Sequence, residues 1–210
     1  QNSNFFKTIK SYGPEDLTSD FKKKFKDILK KKRGGGYWIW KIDIILDRLS
    51  KLKDGDFLIY ADCGCSIKSN GTKRLNEYLY LLNNSKYGII SFQLRDYLEK
   101  EWTTKEIFDY FKIDNDNKIR NSKQYMSTIL IMQKKKHLMD ILNLYLKVLE
   151  DNSLLFTDIY NNDQEDYFKD NRHDQSVFSI IRKIHGSIVK VDETFKSQKF
   201  KAPFLATRIR

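Results

Sequence analysis

Three apolar runs of strand length constrain the fold of this chain more than any other feature. They are FLIYAD (57–62), YGIISFQ (87–93) and STILIMQ (127–133). Uninterrupted apolar runs of this length are typical of strands buried on both faces, as in parallel sheets. Segments with the apolar spacing of amphipathic helices lie between them. This alternation predicts an α/β fold, with a mostly parallel central sheet flanked by helices.

The remaining segments complete the alternation. Asp16 or Thr18 is expected to cap a basic helix. Further helices are predicted at 38–52, 72–83, 103–111, 137–149 and 174–184, and short strands at 8–12 and 187–191. No internal repeat and no linker rich in Pro, Gly or Ser divides the sequence. A single domain over residues 1–210 is therefore expected.

The formal net charge of +11 raises nucleic acid as a possible partner. Much of this charge falls on the predicted basic helix, whose apolar stripe consists of Leu17, Phe21, Phe25, Ile28 and Leu29. Its lysines mostly fall on the opposite face, which is typical of a solvated helix surface. Lysine also far outnumbers arginine, whereas base recognition favours the arginine fork. We therefore do not predict nucleic acid as a partner.

Two cysteines, Cys63 and Cys65, are separated by one residue and are poorly placed to staple a fold. A structural zinc site needs four Cys or His ligands, whereas the chain has two cysteines and three histidines in total. No apolar run approaches the ~20 residues that cross a bilayer. The sequence thus predicts a cytoplasmic protein without a transmembrane segment.

A carboxylate, Asp62, ends the first apolar run. Ligands of open α/β sheets bind beyond the carboxyl ends of the strands. The small residues that follow, Cys63, Gly64 and Cys65, leave space above the strand. A hard cation such as Mg²⁺ or Mn²⁺ takes oxygen ligands and needs only one or two carboxylates beside substrate phosphates. Asp62 is therefore a candidate metal ligand; the alternative is that it only opens a turn.

A second polar cluster precedes an apolar helix in NRHDQSVFSII (171–181). Arg172, His173, Asp174 and Gln175 are consecutive. Residues of these types bind phosphate, hold a metal or move a proton. The alternative is a plain helix start, with Asp174 as its cap.

The stretch RGGGYWIWK (33–41) places three glycines before a helix. Such glycines let backbone N–H groups approach a phosphate or a sugar closely. The spacing matches neither a phosphate-binding loop of the Gly-Lys-Ser type nor a dinucleotide fingerprint. Its tryptophans suit a site where a flat sugar face stacks on an indole; the alternative is that they belong to the core.

Together these segments resemble a known family over about residues 5–210. The motifs are RGGGYWIWK, DGDFLIYADCG, YGIISFQ, EWTTKEIFDYF, LFTDIYN, DNRHDQSVFSIIRKIHGS and PFLATRIR. The family comprises small glycosyltransferases of large DNA viruses, such as chlorella and giant amoebal viruses, and of some bacteria. The resemblance implies a Rossmann-like GT-A fold, a nucleotide-diphosphate sugar donor (UDP-linked), Mn²⁺ or Mg²⁺, and a glycan or protein hydroxyl acceptor.

The resemblance also implies roles for individual residues. Asp62 would hold the metal against the donor pyrophosphate, although the usual Asp-x-Asp motif lacks its second carboxylate here. His173 or His185 is then a candidate for a further ligand. Asp174 and Gln175 would be catalytic, at the acceptor side and near the donor sugar. The donor site would further be walled by Arg33, Gly34, Gly35, Trp38, Lys41 and Arg172.

Two departures from the family pattern accompany this assignment. The family commonly reads Lys-Pro where this chain has Lys41 followed by Ile42. An upstream strand that helps to bind the nucleobase is expected in relatives, and this chain begins at what resembles the second strand. The alternatives from other classes are a non-catalytic nucleic-acid-binding module and a carbohydrate-binding domain without turnover.

Overall fold

A computed structural model describes residues 5–195 and 201–207 of the chain. The helices are α1 (Ser19–Lys24), α2 (Lys26–Leu29), α3 (Gly34–Tyr37), α4 (Trp40–Ser50), α5 (Thr72–Asn83), α6 (Glu99–Trp102), α7 (Lys105–Tyr110), α8 (Lys136–Asp151) and α9 (Asp174–His185). The strands are β1 (Phe57–Ala61), β2 (Ser66–Ile67), β3 (Ile89–Leu98), β4 (Lys123–Tyr125), β5 (Ile129–Gln133), β6 (Ile188–Val191) and β7 (Phe204–Leu205). The last three residues of the PFLATRIR motif lie outside the described residues.

The central sheet has five strands and is mixed. Its order is β1-β5-β3-β4, with β6 paired to β3. The pairs β1–β5, β3–β5 and β3–β4 are antiparallel, and only β3–β6 is parallel. The chain is thus α/β, as expected, but the prediction of a mostly parallel sheet is wrong. An apolar run indicates that a segment forms a strand, but it carries no information on the direction of that strand.

Strand burial also differs from the expectation. Every residue of β5 is buried, as predicted for this run. All five residues of β1 are only half-buried, because β1 lies at an edge and pairs with β5 alone. The predicted strand at 8–12 is wrong, since these residues adopt no regular structure. There Tyr12 instead donates its hydroxyl to Asp47 Oδ2 at 3.1 Å.

Alternation along β5 divides the core between the two sheet faces. Leu130 and Met132 pack into a cluster with α4, α8 and α9, whereas Ile129 and Ile131 pack into a second cluster with α5 and Phe204 of β7. The predicted helices at 38–52, 72–83, 103–111, 137–149 and 174–184 are confirmed as α4, α5, α7, α8 and α9. Helices therefore cover both faces of the sheet.

The basic helix is confirmed and divides at Phe25 into α1 and α2. Thr18 is its cap, since its hydroxyl accepts from the Phe21 N–H at 3.3 Å. The side chains of Phe21 and Phe25 are buried, and the lysines of these helices are exposed, as a solvated face requires. Within the described ranges, no helix has both the length and the apolarity that a membrane span needs.

Candidate functional site

Three charged side chains from separate parts of the chain meet at the carboxyl end of β1. Lys41 lies in the first turn of α4, Asp62 directly follows β1, and Asp174 is the first residue of α9. The Lys41 Nζ atom is 3.0 Å from Asp174 Oδ2 and 3.3 Å from Asp62 Oδ1. Lys41 and Asp174 are buried, whereas the Asp62 side chain retains 29% of its exposure. Solvent and ligands therefore reach this triad through Asp62.

Backbone contacts fix the position of Asp62. Its N–H donates to the Thr128 carbonyl at 3.0 Å, which continues the β1–β5 pairing one step beyond the strand. The carboxylate also accepts a hydrogen bond at Oδ1 from the Tyr60 hydroxyl, at 2.6 Å. Lys41 and Tyr60 both use Oδ1, so Oδ2 takes part in neither contact. Hydrogen bonds thus hold Asp62 in place, and its carboxylate is partly exposed.

Burial controls the ionisation of the two enclosed groups. It raises the pKa of the Asp174 carboxyl, and the nearby Lys41 ammonium offsets only part of that effect. For Lys41, burial lowers the pKa, but the charges of Asp174 and Asp62 outweigh it and the net pKa is raised. A carboxylate with an elevated pKa is a better proton acceptor than an exposed one. Asp174 is therefore a stronger proton acceptor than an exposed aspartate.

A cavity of about 20 Å³ adjoins Lys41 and Asp174 on the core side, where Leu142, Tyr145 and Phe178 line it. That volume holds about one water molecule. A sugar or nucleotide does not fit there.

Residues 126–128 separate β4 from β5, and this break between the two strands forms the floor of the site at Ser127. Its carbonyl accepts from Lys41 Nζ at 3.3 Å, and its N–H donates to Gln175 Oε1 at 3.3 Å. Gln175 also donates through Nε2 to Gln124 Oε1 at 2.8 Å. Because both ends of the Gln175 amide are engaged with this floor, its contacts are those of a positioning residue.

Arg182 anchors the same break from within the core. It is fully buried, and its Nη2 donates to the carbonyls of Tyr125 and Met126 at 3.1 and 3.0 Å. Its Nη1 donates to Ser91 Oγ at 3.2 Å. One guanidinium in α9 thus satisfies backbone acceptors that the interrupted strand would leave unpaired.

The three glycines form a left-handed turn. The φ angles of Gly34, Gly35 and Gly36 are 58°, 58° and 94°, and the turn continues through Tyr37 at 56° and Trp38 at 61°. Only glycine adopts this region readily, which explains the run of three. The N–H groups of Gly35, Gly36, Tyr37 and Trp38 donate to carbonyls within residues 31–34. The amide of Gly35 is therefore committed to the turn and is no longer available to a phosphate.

The turn packs on His173. The rings of Tyr37 and Trp38 lie 5.1 and 5.5 Å from the imidazole, and Trp40 Nε1 donates to the Gly34 carbonyl at 2.9 Å. The tryptophans are half-buried. The turn therefore serves as a wall between α4 and the start of α9.

His173 makes its own contacts away from Asp62. Its Nε2 lies 2.8 Å from Asp158 Oδ1, and burial lowers the pKa of the imidazole. Arg33 joins the same group, with Nη1 2.9 Å from Asp158 Oδ1 and Nη2 2.8 Å from Asp170 Oδ2. The backbone of His173 has a φ of 56°, an uncommon conformation for a residue with a side chain. These contacts assign His173 and Arg33 to holding the segment before α9.

The two other sequence candidates lie elsewhere. His185 ends α9, so the rise of the helix puts it roughly 16 Å from Asp174. That separation excludes His185 as a metal ligand together with Asp62. The guanidinium of Arg172 stacks over the rings of Tyr97 and Trp102, at 4.2 and 5.7 Å.

A divalent cation finds a limited set of ligands here. Residues 5–195 and 201–207 contain no group of three or more His, Cys, Asp and Glu side chains that could hold a metal ion. Asp62 remains suitable as a single protein ligand, because Mg²⁺ and Mn²⁺ sites are commonly completed by substrate phosphates and water. The site thus fits a cation that arrives with a phosphorylated ligand.

Four contributors escaped the sequence analysis: Tyr60, Ser127, Asp158 and Arg182. Tyr60 and Ser127 lie within apolar runs and read as parts of strands. Asp158 lies in LFTDIYN, a motif that carries part of the family resemblance, and its place in this motif could have identified it as a candidate site residue. An arginine in the apolar stripe of α9 was a second signal, because a charged residue is almost never fully buried unless paired.

Comparisons with known proteins add no relative. No family model matches the chain, and no curated protein and no solved structure is significantly similar to it.

Proposed function

We propose that the chain is a glycosyltransferase that moves a sugar from a nucleotide-diphosphate sugar, UDP-linked, to a hydroxyl group of a glycan or protein. The observation that carries the proposal is the pairing of a partly exposed carboxylate, Asp62, with a buried carboxylate of raised pKa, Asp174. The two carboxylates suit different tasks in one reaction. The resemblance of the surrounding motifs to the viral transferases supports the same reaction.

In the proposed reaction the acceptor oxygen forms a bond to the anomeric carbon. The bond from that carbon to the phosphate oxygen breaks, and the nucleoside diphosphate leaves. Asp174 takes the acceptor proton or orients the acceptor hydroxyl, consistent with its raised pKa. Ser127 holds Lys41 through its carbonyl and Gln175 through its N–H, and Gln175 directly follows Asp174 in α9.

Asp62 would hold Mn²⁺ or Mg²⁺ from the protein side, and the donor phosphates would complete the coordination. When bound, such a cation neutralises the charge that develops on the departing diphosphate. The left-handed turn, with Trp38 beside it, forms the wall against which we propose that the donor lies. Arg33 would act there indirectly, by fixing Asp158 and Asp170.

The test distinguishes the proposed roles of Asp62 and Asp174. UDP binding is measured by calorimetry with and without Mn²⁺, and turnover is measured with a panel of UDP-sugars. Asp62→Asn should abolish the Mn²⁺-dependent part of UDP binding and turnover together. Asp174→Asn should bind UDP and Mn²⁺ normally while turnover falls by about 10²–10⁴-fold, the range for loss of a general base.

Asp54→Asn is the matched control, because it makes the same charge change at the opposite end of β1, where the side chain is 93% exposed. Its UDP binding and turnover should equal those of the wild type. Normal Mn²⁺-dependent UDP binding by Asp62→Asn would refute the assignment of the donor site. If the wild type bound no UDP in the presence of Mn²⁺ and turned over none of the sugars, the proposed function would fail.

A further inference from the structure

A single ammonium group joins the two carboxylates of the site. Lys41 Nζ contacts Asp174 Oδ2 at 3.0 Å, Asp62 Oδ1 at 3.3 Å and the Ser127 carbonyl at 3.3 Å. An ammonium has three N–H donors, so these three acceptors match its capacity. The lysine side chain is buried at this position and retains only 8% of its exposure.

Lys41 occupies the space that a bridging cation would need. The oxygens of Asp62 and Asp174 contact the same nitrogen atom, which lies between them. Two carboxylates and a carbonyl converging on one point are oxygen ligands of the kind that a hard divalent cation takes. Here that point is filled by a positive charge that belongs to the chain itself.

We propose that Lys41 acts as an internal cation that keeps a divalent metal ion from bridging Asp62 and Asp174. Asp174 is thereby held out of the metal ligand set, and a metal ion can use only the partly exposed side of Asp62. Lys41 also reserves Asp174 for the acceptor hydroxyl, a role that rests on the proposed function. Lys41 is then a positioning residue.

The test measures Mn²⁺ binding to the protein alone, without any nucleotide. The electron paramagnetic resonance signal of free Mn²⁺ reports the dissociation constant. Lys41→Met keeps a chain of similar length and removes the charge, so two unpaired carboxylates converge on one point. The affinity for Mn²⁺ should rise by about tenfold or more, since ligand charge sets the strength of such sites. In Lys41→Met/Asp174→Asn most of this gain should disappear.

A folded Lys41→Met variant that binds Mn²⁺ no more tightly than the wild type would overturn the proposal. So would an equal gain in the double variant, because Asp174 would then contribute nothing. Circular dichroism and urea unfolding establish whether the variants are folded.

Asp174→Asn alone provides a second test that leaves Lys41 in place. The wild-type Mn²⁺ affinity should persist within about twofold, because Lys41 already excludes Asp174 from the metal. A weaker affinity in this variant would make Asp174 a metal ligand and overturn the proposal, even if Lys41→Met did not fold. None of these measurements involves a donor, so they stand or fall separately from UDP binding and turnover.

Discussion

Alanine substitutions at two neighbouring glycines test the left-handed turn, because the surrounding chain approaches the two sites to different extents. Gly35 and Gly36 both have positive φ angles, of 58° and 94°. A Cβ atom added at Gly35 would have Trp40 Nε1 as its nearest neighbour, at 3.7 Å, an ordinary contact. A Cβ atom added at Gly36 would lie 2.8 Å from Leu29 Cα and 3.0 Å from the Ile28 carbonyl oxygen.

These distances give different expected costs. Gly35→Ala should lower the free energy of unfolding by about 1–2 kcal/mol, the cost of a left-handed conformation for a residue with a side chain. Gly36→Ala carries the same cost and must also displace the backbone of α2, which adds about 1–3 kcal/mol on the scale of overpacked cores. For a chain of this size each kcal/mol lowers Tm by roughly 2–4 °C.

Urea unfolding followed by circular dichroism measures both variants, and differential scanning calorimetry supplies Tm. Gly36→Ala should be the less stable of the two by a clear margin. Equal losses of unfolding free energy in the two variants would mean that the close approach of α2 to Gly36 does not affect stability. An unchanged stability in Gly35→Ala would refute the left-handed turn itself, and with it our explanation of the three glycines.

Three further predictions concern charged groups. Arg182→Met should lower the free energy of unfolding, measured in urea, by about 3–5 kcal/mol, because the carbonyls between β4 and β5 lose their hydrogen-bond donor. A loss below about 1 kcal/mol would contradict the anchoring role of Arg182. Burial lowers the pKa of His173 below the ordinary histidine value of 6.5. As the pH falls below 6.5, the unfolded chain therefore binds more protons than the folded chain, and the free energy of unfolding should decrease. The urea midpoint should therefore fall less between pH 7.5 and 5.5 in His173→Gln than in the wild type. Reversing Lys23 in α1 and Lys31 just after α2 to Glu should leave Mn²⁺-dependent UDP binding unchanged, since both side chains are exposed. Calorimetry that showed a loss would give this basic surface a part in ligand binding.

Sequence periodicity predicted most elements because apolar spacing is a local property of the chain. The helix at 72–83 has the predicted bounds, and the strand at 187–191 differs by one residue at its start. Strand direction escaped prediction because it depends on how residues 99–128 return the chain beside β1 and β3. The strand predicted at 8–12 had suitable residues but no partner in the sheet, which only the tertiary fold could reveal.

For the candidate site, residues next to element ends were easier to predict than residues inside elements. Asp62 and Asp174 were candidates because they adjoin a strand end and a helix start. Lys41 was expected to wall a donor site, but no sequence pattern indicated that its ammonium would contact both carboxylates. Such contacts link residues 21 or more positions apart, so no local pattern encodes them.

The buried guanidinium of Arg182 has a consequence for hydrogen exchange. It ties α9 to β3 and to the break between β4 and β5 by side-chain hydrogen bonds, so α9 cannot detach while the sheet stays intact. Its central amides should therefore exchange with deuterium only through opening of the whole domain, at the slowest rates in the protein. The segment from 159 to 170 adopts no helix or strand, and the ion pair of Asp170 with Arg33 that holds it lies at the surface, so it should exchange by local opening. A ligand that binds the folded chain at Asp62 should therefore slow exchange in α9, because it disfavours opening of the whole domain, whereas local openings of residues 159–170 that leave the ligand bound should continue at the same rate.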